Sequence, residues 1–139
     1  MEKIEKLKDI INNSNNIVAF TGAGVSTLSG IKDFRGKNGL YKEKFEHSAE
    51  YYLSSRCFFL EPDTFYKFYK SNMNVLDKEP NIVHKYLTKL EKDGKLKAVV
   101  TQNIDGLDKK SGTKNVLEIH GTIYKNYCVK CGKEYSAEY

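Results

Sequence analysis

Residues 16–21, NIVAFT, form a short apolar run of β-branched and aromatic residues, and GAGVSTLSG follows directly. Strand-forming residues that run into a glycine turn and then a helix make the first unit of a nucleotide-binding α/β fold. Gly22, Ala23 and Gly24 are small enough to let backbone N–H groups approach a phosphate. The dipole of a following helix adds a favourable field. The generic pattern G-x-G-x-x-G breaks at its third glycine, where Thr27 stands, and no acidic residue follows in a recognisable second strand. By itself the run is equally compatible with a tight turn that binds nothing.

The rest of the chain extends the alternation. Residues 2–13 place Ile4, Leu7, Ile10 and Ile11 at helical spacing. Residues 31–47 carry many charges and no period, which predicts a mobile loop. Residues 62–73 set Phe65, Phe68, Tyr69 and Met73 on one helical face behind Pro62. Residues 80–95 begin at Pro80, present Val83, Tyr86, Leu87 and Leu90 on one stripe, and stop at Gly94. LKAVVTQ (96–102) and NVLEIH (115–120) predict two further strands, and the tyrosine-rich end predicts a short ribbon. Strands alternating with helices argue for a parallel sheet, in which NIVAFT is a buried strand, interrupted by a helical insertion over 46–75.

Composition narrows the class. The chain has 139 residues, 40% hydrophobic and 29% charged, as an ordinary globular domain has. Its apolar runs are far short of the ~20 residues a bilayer span needs. The start, MEKIEKLKDIINNSNN, lacks an apolar signal core, so a cytoplasmic protein is expected. The net charge of +5 is spread along the chain, without a basic stripe interleaved with aromatics. It reads as a lysine-rich solvated surface rather than a nucleic-acid interface. Three cysteines, two of them as C-x-x-C, suit metal binding in a reducing compartment better than disulfides.

Polar residues cluster where a parallel sheet would present them to a ligand. Gln102, Asn103 and Asp105 follow the strand 96–101, and ligands of open α/β sheets bind beyond strand carboxyl ends. Asn and Asp are also good helix caps. His120 lies at the end of the third strand, before Gly121, and histidine ordinarily titrates near neutrality, as a general base must. His47 and His84 read as packed or surface residues. Asp33, Phe34 and Arg35 lie just past the glycine turn, where a cation suits a pyrophosphate and an aromatic caps a pocket.

GAGVSTLSGIKDFRG (22–36), TQNIDGL (101–107), EIHGT (118–122) and the cysteine pair resemble, in order and spacing, the signature motifs of the sirtuins, NAD-dependent protein lysine deacylases. The resemblance covers nearly the whole chain. It implies an α/β fold: a partial Rossmann-like parallel sheet with helices on both faces, plus a small helical insertion and half of a zinc ribbon. It divides the chain into 1–45 with 76–123 as the NAD-binding domain, 46–75 as the helical part of a small domain, and 124–139 as the first half of a zinc module. It implies cofactor contacts at Gly22, Ala23, Gly24, Thr27, Asp33, Phe34, Arg35, Gln102, Asn103, Ile104, Asp105 and His120, with Ile104 and Asp105 at the nicotinamide amide. His120 and Asn103 are the implied catalytic residues. The implied reaction converts acetyl-lysine and NAD to lysine, nicotinamide and O-acetyl-ADP-ribose, with acetyl-lysine proteins or peptides as partners. Alternatives are a mono-ADP-ribosyltransferase and a non-catalytic NAD- or ADP-ribose-binding module.

The sequence departs from the pattern at three places. Lys32 stands where the family has proline, which removes a φ restraint from the loop. Asp108 stands where the family often has histidine. Family cores also continue beyond the first cysteine pair. The native product is therefore expected to be longer, and this span alone inactive or very weak. Cys128 and Cys131 supply two of the four donors that tetrahedral zinc needs. Cys57, between Arg56 and Phe58, is a poor third ligand and is expected to be buried. On the helix 62–73, Tyr69 is followed by Asn72 where sirtuins that prefer acidic acyl groups have arginine. That predicts a neutral acyl group.

Overall fold

The computed structural model describes residues 2–139. Helix α1 spans Glu2–Asn13 and strand β1 Ile17–Thr21. Three helices follow, α2 Ala49–Tyr52, α3 Ser55–Leu60 and α4 Pro62–Asn72, then α5 Ile82–Lys92 and β2 Leu96–Thr101. The short α6 (Leu107–Lys110) leads to β3 (Val116–Glu118) and a hairpin of β4 (Lys125–Tyr127) and β5 (Glu134–Ser136).

β1, β2 and β3 form a parallel sheet in that order, with Thr21 opposite Thr101 and Thr101 opposite Glu118. This register brings all three carboxyl ends to one edge. Helix α5 is fixed at both ends by its sequence. The Asn81 side chain accepts from the Val83 N–H (2.9 Å), and His84 Nδ1 accepts from the Asn81 N–H (3.2 Å). Gly94 takes a positive φ of 75° just past the last turn, where Lys89 and Lys92 complement the helix dipole. Glu91 accepts from the Lys114 and Asn115 N–H groups, both at 2.8 Å, which ties α5 to the approach to β3. Those two bonds hold its carboxyl below the usual range.

The core has two parts. Leu90, Leu96 and Val99 are buried between α5 and the sheet, with Ile11, Ile17, Ala19 and Val116 packed against them. Side chains of a strand alternate between faces, so Val18, Phe20 and Leu117 point the other way. They are 59%, 67% and 53% exposed. β1 is therefore buried on one face only, not the fully buried strand that its apolar run predicts. On α1, Ile4, Leu7 and Ile10 are also exposed.

The second part joins α2, α3 and α4. Ser48 and Ser54 cap α2 and α3 by accepting from Tyr51 and Cys57 N–H groups. Tyr52 stacks on Phe68 at 4.6 Å, and Cys57 is fully buried beside them. Phe34, Tyr41 and Phe45 pack onto this cluster, and Leu40 is part of it. The loop 31–47 is thus built rather than featureless: Leu40 and Tyr41 N–H groups donate to the Asp33 and Phe34 carbonyls at 2.8 and 2.9 Å. A Cβ on Gly39 would stand 2.6 Å from the Phe34 carbonyl oxygen. Periodicity gave no sign of this because the loop is held by backbone pairs and scattered aromatics. Among the described residues no helix is long and apolar enough to cross a membrane.

Candidate functional site

β1 ends at Thr21, and its extension makes the turn at Gly22. Ala23–Ser29 continue as the helix expected, in 3-10 form, closed by Gly30 at φ 81°. Ser26 is fully buried here. Its hydroxyl donates to Asp105 Oδ2 at 2.6 Å and accepts from Asn103 Nδ2 at 3.2 Å. Asn103 Nδ2 also donates to the Gly22 carbonyl at 3.1 Å. These bonds join the glycine turn to the loop after β2 across 79 residues of sequence. Asp105 Oδ1 accepts from the Leu107 N–H at 3.0 Å, so the carboxylate also caps α6. One carboxylate thus caps a helix with one oxygen and holds Ser26 with the other.

From the other side, the Asn81 amide donates to the Val25 carbonyl (2.8 Å) and Ser29 Oγ (2.9 Å). The cap of α5 thereby holds the glycine turn against the sheet. His84, fully buried next to it, accepts at Nδ1, and burial lowers its pKa. It is a neutral imidazole at pH 7.

His120 lies at the mouth of the cleft. Its Nδ1 is 3.1 Å from the Gln102 carbonyl oxygen. A carbonyl only accepts, so Nδ1 carries a hydrogen and Nε2 is left with its lone pair when the ring is neutral. That is the form a general base needs. The hydrogen bond fixes the ring to the loop that carries Asn103 and Asp105.

These elements enclose a cleft of about 360 Å³ at the carboxyl edge of the sheet. Ala23, Phe34, Gln102, Asn103, Ile104, Asp105 and His120 all line it. The other predicted cofactor residues do not line it and have partners of their own. A Cβ on Gly22 would lie 3.3 Å from Gln102 Nε2, while nothing approaches Gly24 within 4 Å. Thr27 Oγ1 donates to the Gly24 carbonyl at 2.9 Å. Asp33 Oδ1 accepts from the Gly36 N–H at 3.0 Å and shapes the loop. The Arg35 guanidinium lies 5.1 Å over the Tyr41 ring. Ser26 and Asn81 escaped the sequence reading, whereas His84, read there as packed or surface, is a packed residue. No local pattern shows what the α5 cap touches. A second, larger cleft of about 580 Å³ lies between α4 and the hairpin and shares Met73 and Asn74 with the first.

Cys128 and Cys131 sit at the turn of the hairpin. The Cys128 N–H donates to the Lys133 carbonyl, and the Gly132 N–H to the Cys128 carbonyl. Backbone N–H groups of Cys131 and Lys130 lower the Cys128 thiol pKa, as a metal-binding thiolate turn requires. The fit is half a site. Among the described residues no three His, Cys, Asp or Glu side chains come together to hold a metal. Cys57 lies buried in the helical core.

A parallel sheet whose carboxyl edge gathers a glycine turn, an Asn-Ile-Asp loop and a histidine around one cleft defines a Rossmann-like α/β domain. The Sir2 family profile matches residues 22–139, and the chain belongs to that family. It is 50% identical over 141 residues to an NAD-dependent protein deacetylase of Clostridium acetobutylicum, covering 100% of this chain and 58% of that protein. It is 51% identical over 140 residues to an NAD-dependent protein deacetylase of Clostridium perfringens, covering 99% and 57%. The chain thus spans somewhat over half the length of these relatives. Among solved structures, Sir2 with a deacetylated p53 peptide and 3′-O-acetyl ADP-ribose superposes at a TM-score of 0.89. That chain is 41% identical, with 97% of this chain and 54% of that one covered. Sir2 with a p53 peptide and NAD+ gives 0.83 at 40% identity, covering 97% and 52%.

Proposed function

We propose that the protein works as an NAD-dependent protein lysine deacetylase, releasing lysine, nicotinamide and O-acetyl-ADP-ribose. One observation carries the proposal: Ala23, Phe34, Gln102–Asp105 and His120, from motifs far apart in sequence, line a single cleft. NAD, when bound, would supply the electrophilic ribose carbon. Gln102 and Asn103 would meet the ribose, and Ile104 and Asp105 the nicotinamide amide. His120 Nε2 is the group that would take a ribose hydroxyl proton. Phe34, anchored in the helical core, would exclude water from the reacting side. Gly22, Gly24, Thr27, Asp33 and Arg35 neighbour the lining residues in sequence and are assigned to phosphate binding and loop closure.

The substrates follow the same logic. Acetyl-lysine proteins or peptides are the proposed partners, supported by the peptides bound in the solved relatives. The Asn72 amide donates back to the Phe68 carbonyl at 3.0 Å. The two lysines lining the cleft, Lys32 and Lys78, are paired with Glu43 and Asp77. Asn72 stands where an arginine would pair with an acidic acyl group, and both lysines lining the cleft are engaged, so a neutral acyl group is favoured. Zinc would be held by Cys128 and Cys131 with two further donors, as a structural brace for the hairpin. The proposed division is 1–45 with 76–123, 46–75 and 124–139: the two core clusters favour separating the first two, although Phe34, Leu40 and Phe45 pack with the helical part, and β4 and β5 pair in a sheet of their own.

The test is conversion of an acetyl-lysine peptide and NAD to free lysine and O-acetyl-ADP-ribose, comparing the protein with its His120→Ala variant. NAD-dependent product that His120→Ala abolishes supports the proposal. Equal, measurable product from both refutes the assignment of His120, and no product from the unsubstituted chain refutes deacetylation by this span.

A further inference from the structure

Asn81 stands at the start of α5, half-buried, and its side chain faces two ways. Its Oδ1 accepts from the Val83 N–H at 2.9 Å and caps the helix. Its Nδ2 turns away from the helix and donates to the Val25 carbonyl at 2.8 Å and to Ser29 Oγ at 2.9 Å. The Val25 carbonyl can only accept and the Val83 N–H can only donate, so the two ends of the amide cannot be exchanged. A cap alone makes no such demand, because serine and aspartate cap a helix as well as asparagine does. Among these good caps only asparagine offers an acceptor to its own helix and two hydrogens to a distant segment.

The segment so held is the 3-10 turn Ala23–Ser29. It is fixed at two points. Ser26 ties it to the loop after β2, and Asn81 ties it to α5. Ala23, Ser26, Gly30 and Ile31 line the cleft, whereas Asn81 does not. Asn81 is itself held in place, since its N–H donates to Nδ1 of the fully buried His84 at 3.2 Å. We infer that Asn81 is a positioning residue for the cleft: its amide, through Val25 and Ser29, sets the place of the turn, and ligand affinity depends on these two bonds separately from the cap. The inference rests on the NAD reading above and concerns a side chain outside the cleft lining.

Asn81→Ser separates the two roles, since serine caps equally well and carries no amide. Calorimetric titration of the full chain with NAD+ and ADP-ribose reads the positioning, thermal unfolding reads the cap, and amide hydrogen exchange reads the turn itself. Asn81→Ser is expected to melt within about 3 °C of the unsubstituted protein. It should bind both ligands about tenfold more weakly, the equivalent of the two lost hydrogen bonds. Exchange at the Val25 and Gly30 amides, which donate to the Gly22 and Thr27 carbonyls at 3.0 Å, should speed up about tenfold. Leu87 and Leu90, inside α5, should keep their rates. Ser29→Ala removes one acceptor, leaves the cap whole, and should cost about threefold in affinity. Unchanged affinity in Asn81→Ser overturns the inference, and so does unchanged exchange in the turn. Equal acceleration throughout α5 would mean that only the cap had failed, which overturns it too. If Asn81→Ser does not fold, Ser29→Ala decides, and undiminished affinity there overturns the inference. In each of these cases the unsubstituted protein still binds both ligands and the NAD reading stands. Binding of neither ligand by the unsubstituted protein overturns both.

Discussion

Replacing Ser26 with alanine removes one oxygen atom from the centre of the site. That oxygen donates to Asp105 at 2.6 Å and accepts from Asn103 at 3.2 Å, with no exposure to solvent. Hydrogen bonds to charged groups contribute about 1.5–3 kcal/mol, and no water is at hand to replace this one. Asn103 keeps its bond to the Gly22 carbonyl, so its loss is partial. The expected cost of Ser26→Ala is therefore about 2 kcal/mol, nearly all of it through Asp105. Urea unfolding followed by circular dichroism measures it, for Ser26→Ala, Asp105→Asn and the double variant. The two sites should couple by at least 1 kcal/mol or so, because the same bond is lost in both. A cost below about 0.5 kcal/mol, or additivity within about 0.5 kcal/mol, would refute the claim that Ser26 welds the glycine turn to the loop after β2.

Asp108→Asn should change stability in a pH-dependent way. Its folded pKa is raised from 3.8 to about 6, so the folded state holds the proton more tightly and stability falls as pH rises through that window. The full penalty is at most about 3 kcal/mol above pH 7. The melting temperature of Asp108→Asn should therefore exceed that of the unsubstituted protein at pH 7.5 but not at pH 4; the reverse order contradicts the burial argument. Burial raises the Cys57 thiol pKa, whereas Cys131 is exposed and Cys128 is partly so. A thiol-reactive dye should modify two cysteines quickly in the folded protein and the third only in denaturant, and three fast equivalents would count against the helical core. Gly39→Ala should open the loop 31–47, since its Cβ would press on the Phe34 backbone. Loss of about 1–3 kcal/mol and a faster proteolytic cut near Phe34 are expected, and an unchanged digest would contradict the packing described.

Much of the fold was legible because it rests on local rules. The bounds of β2, α4 and α5 follow from β-branched runs, Pro62, Pro80 and Gly94. The parallel sheet follows from alternation. The candidate cleft was legible mainly through its motifs, and the structure adds how they meet. The side-chain bonds of Ser26 and Asn81 span more than 50 residues, and no local pattern encodes them. The order in 31–47 was hidden for the same reason. The exposed face of Val18, Phe20 and Leu117 was hidden because apolar alternation looks the same whether or not a partner covers the second face.

The central claim is that one cleft, built from three strand ends, receives NAD. Amide chemical shifts of the isotope-labelled protein, followed during titration with NAD+, test it most directly. Saturable shifts are predicted at Ala23, Gly24, Gln102, Asn103, Asp105 and Gly121, with little change around Tyr66 and Tyr139. Shifts confined to the larger cleft between α4 and the hairpin, or no saturable shift at all, would contradict the account.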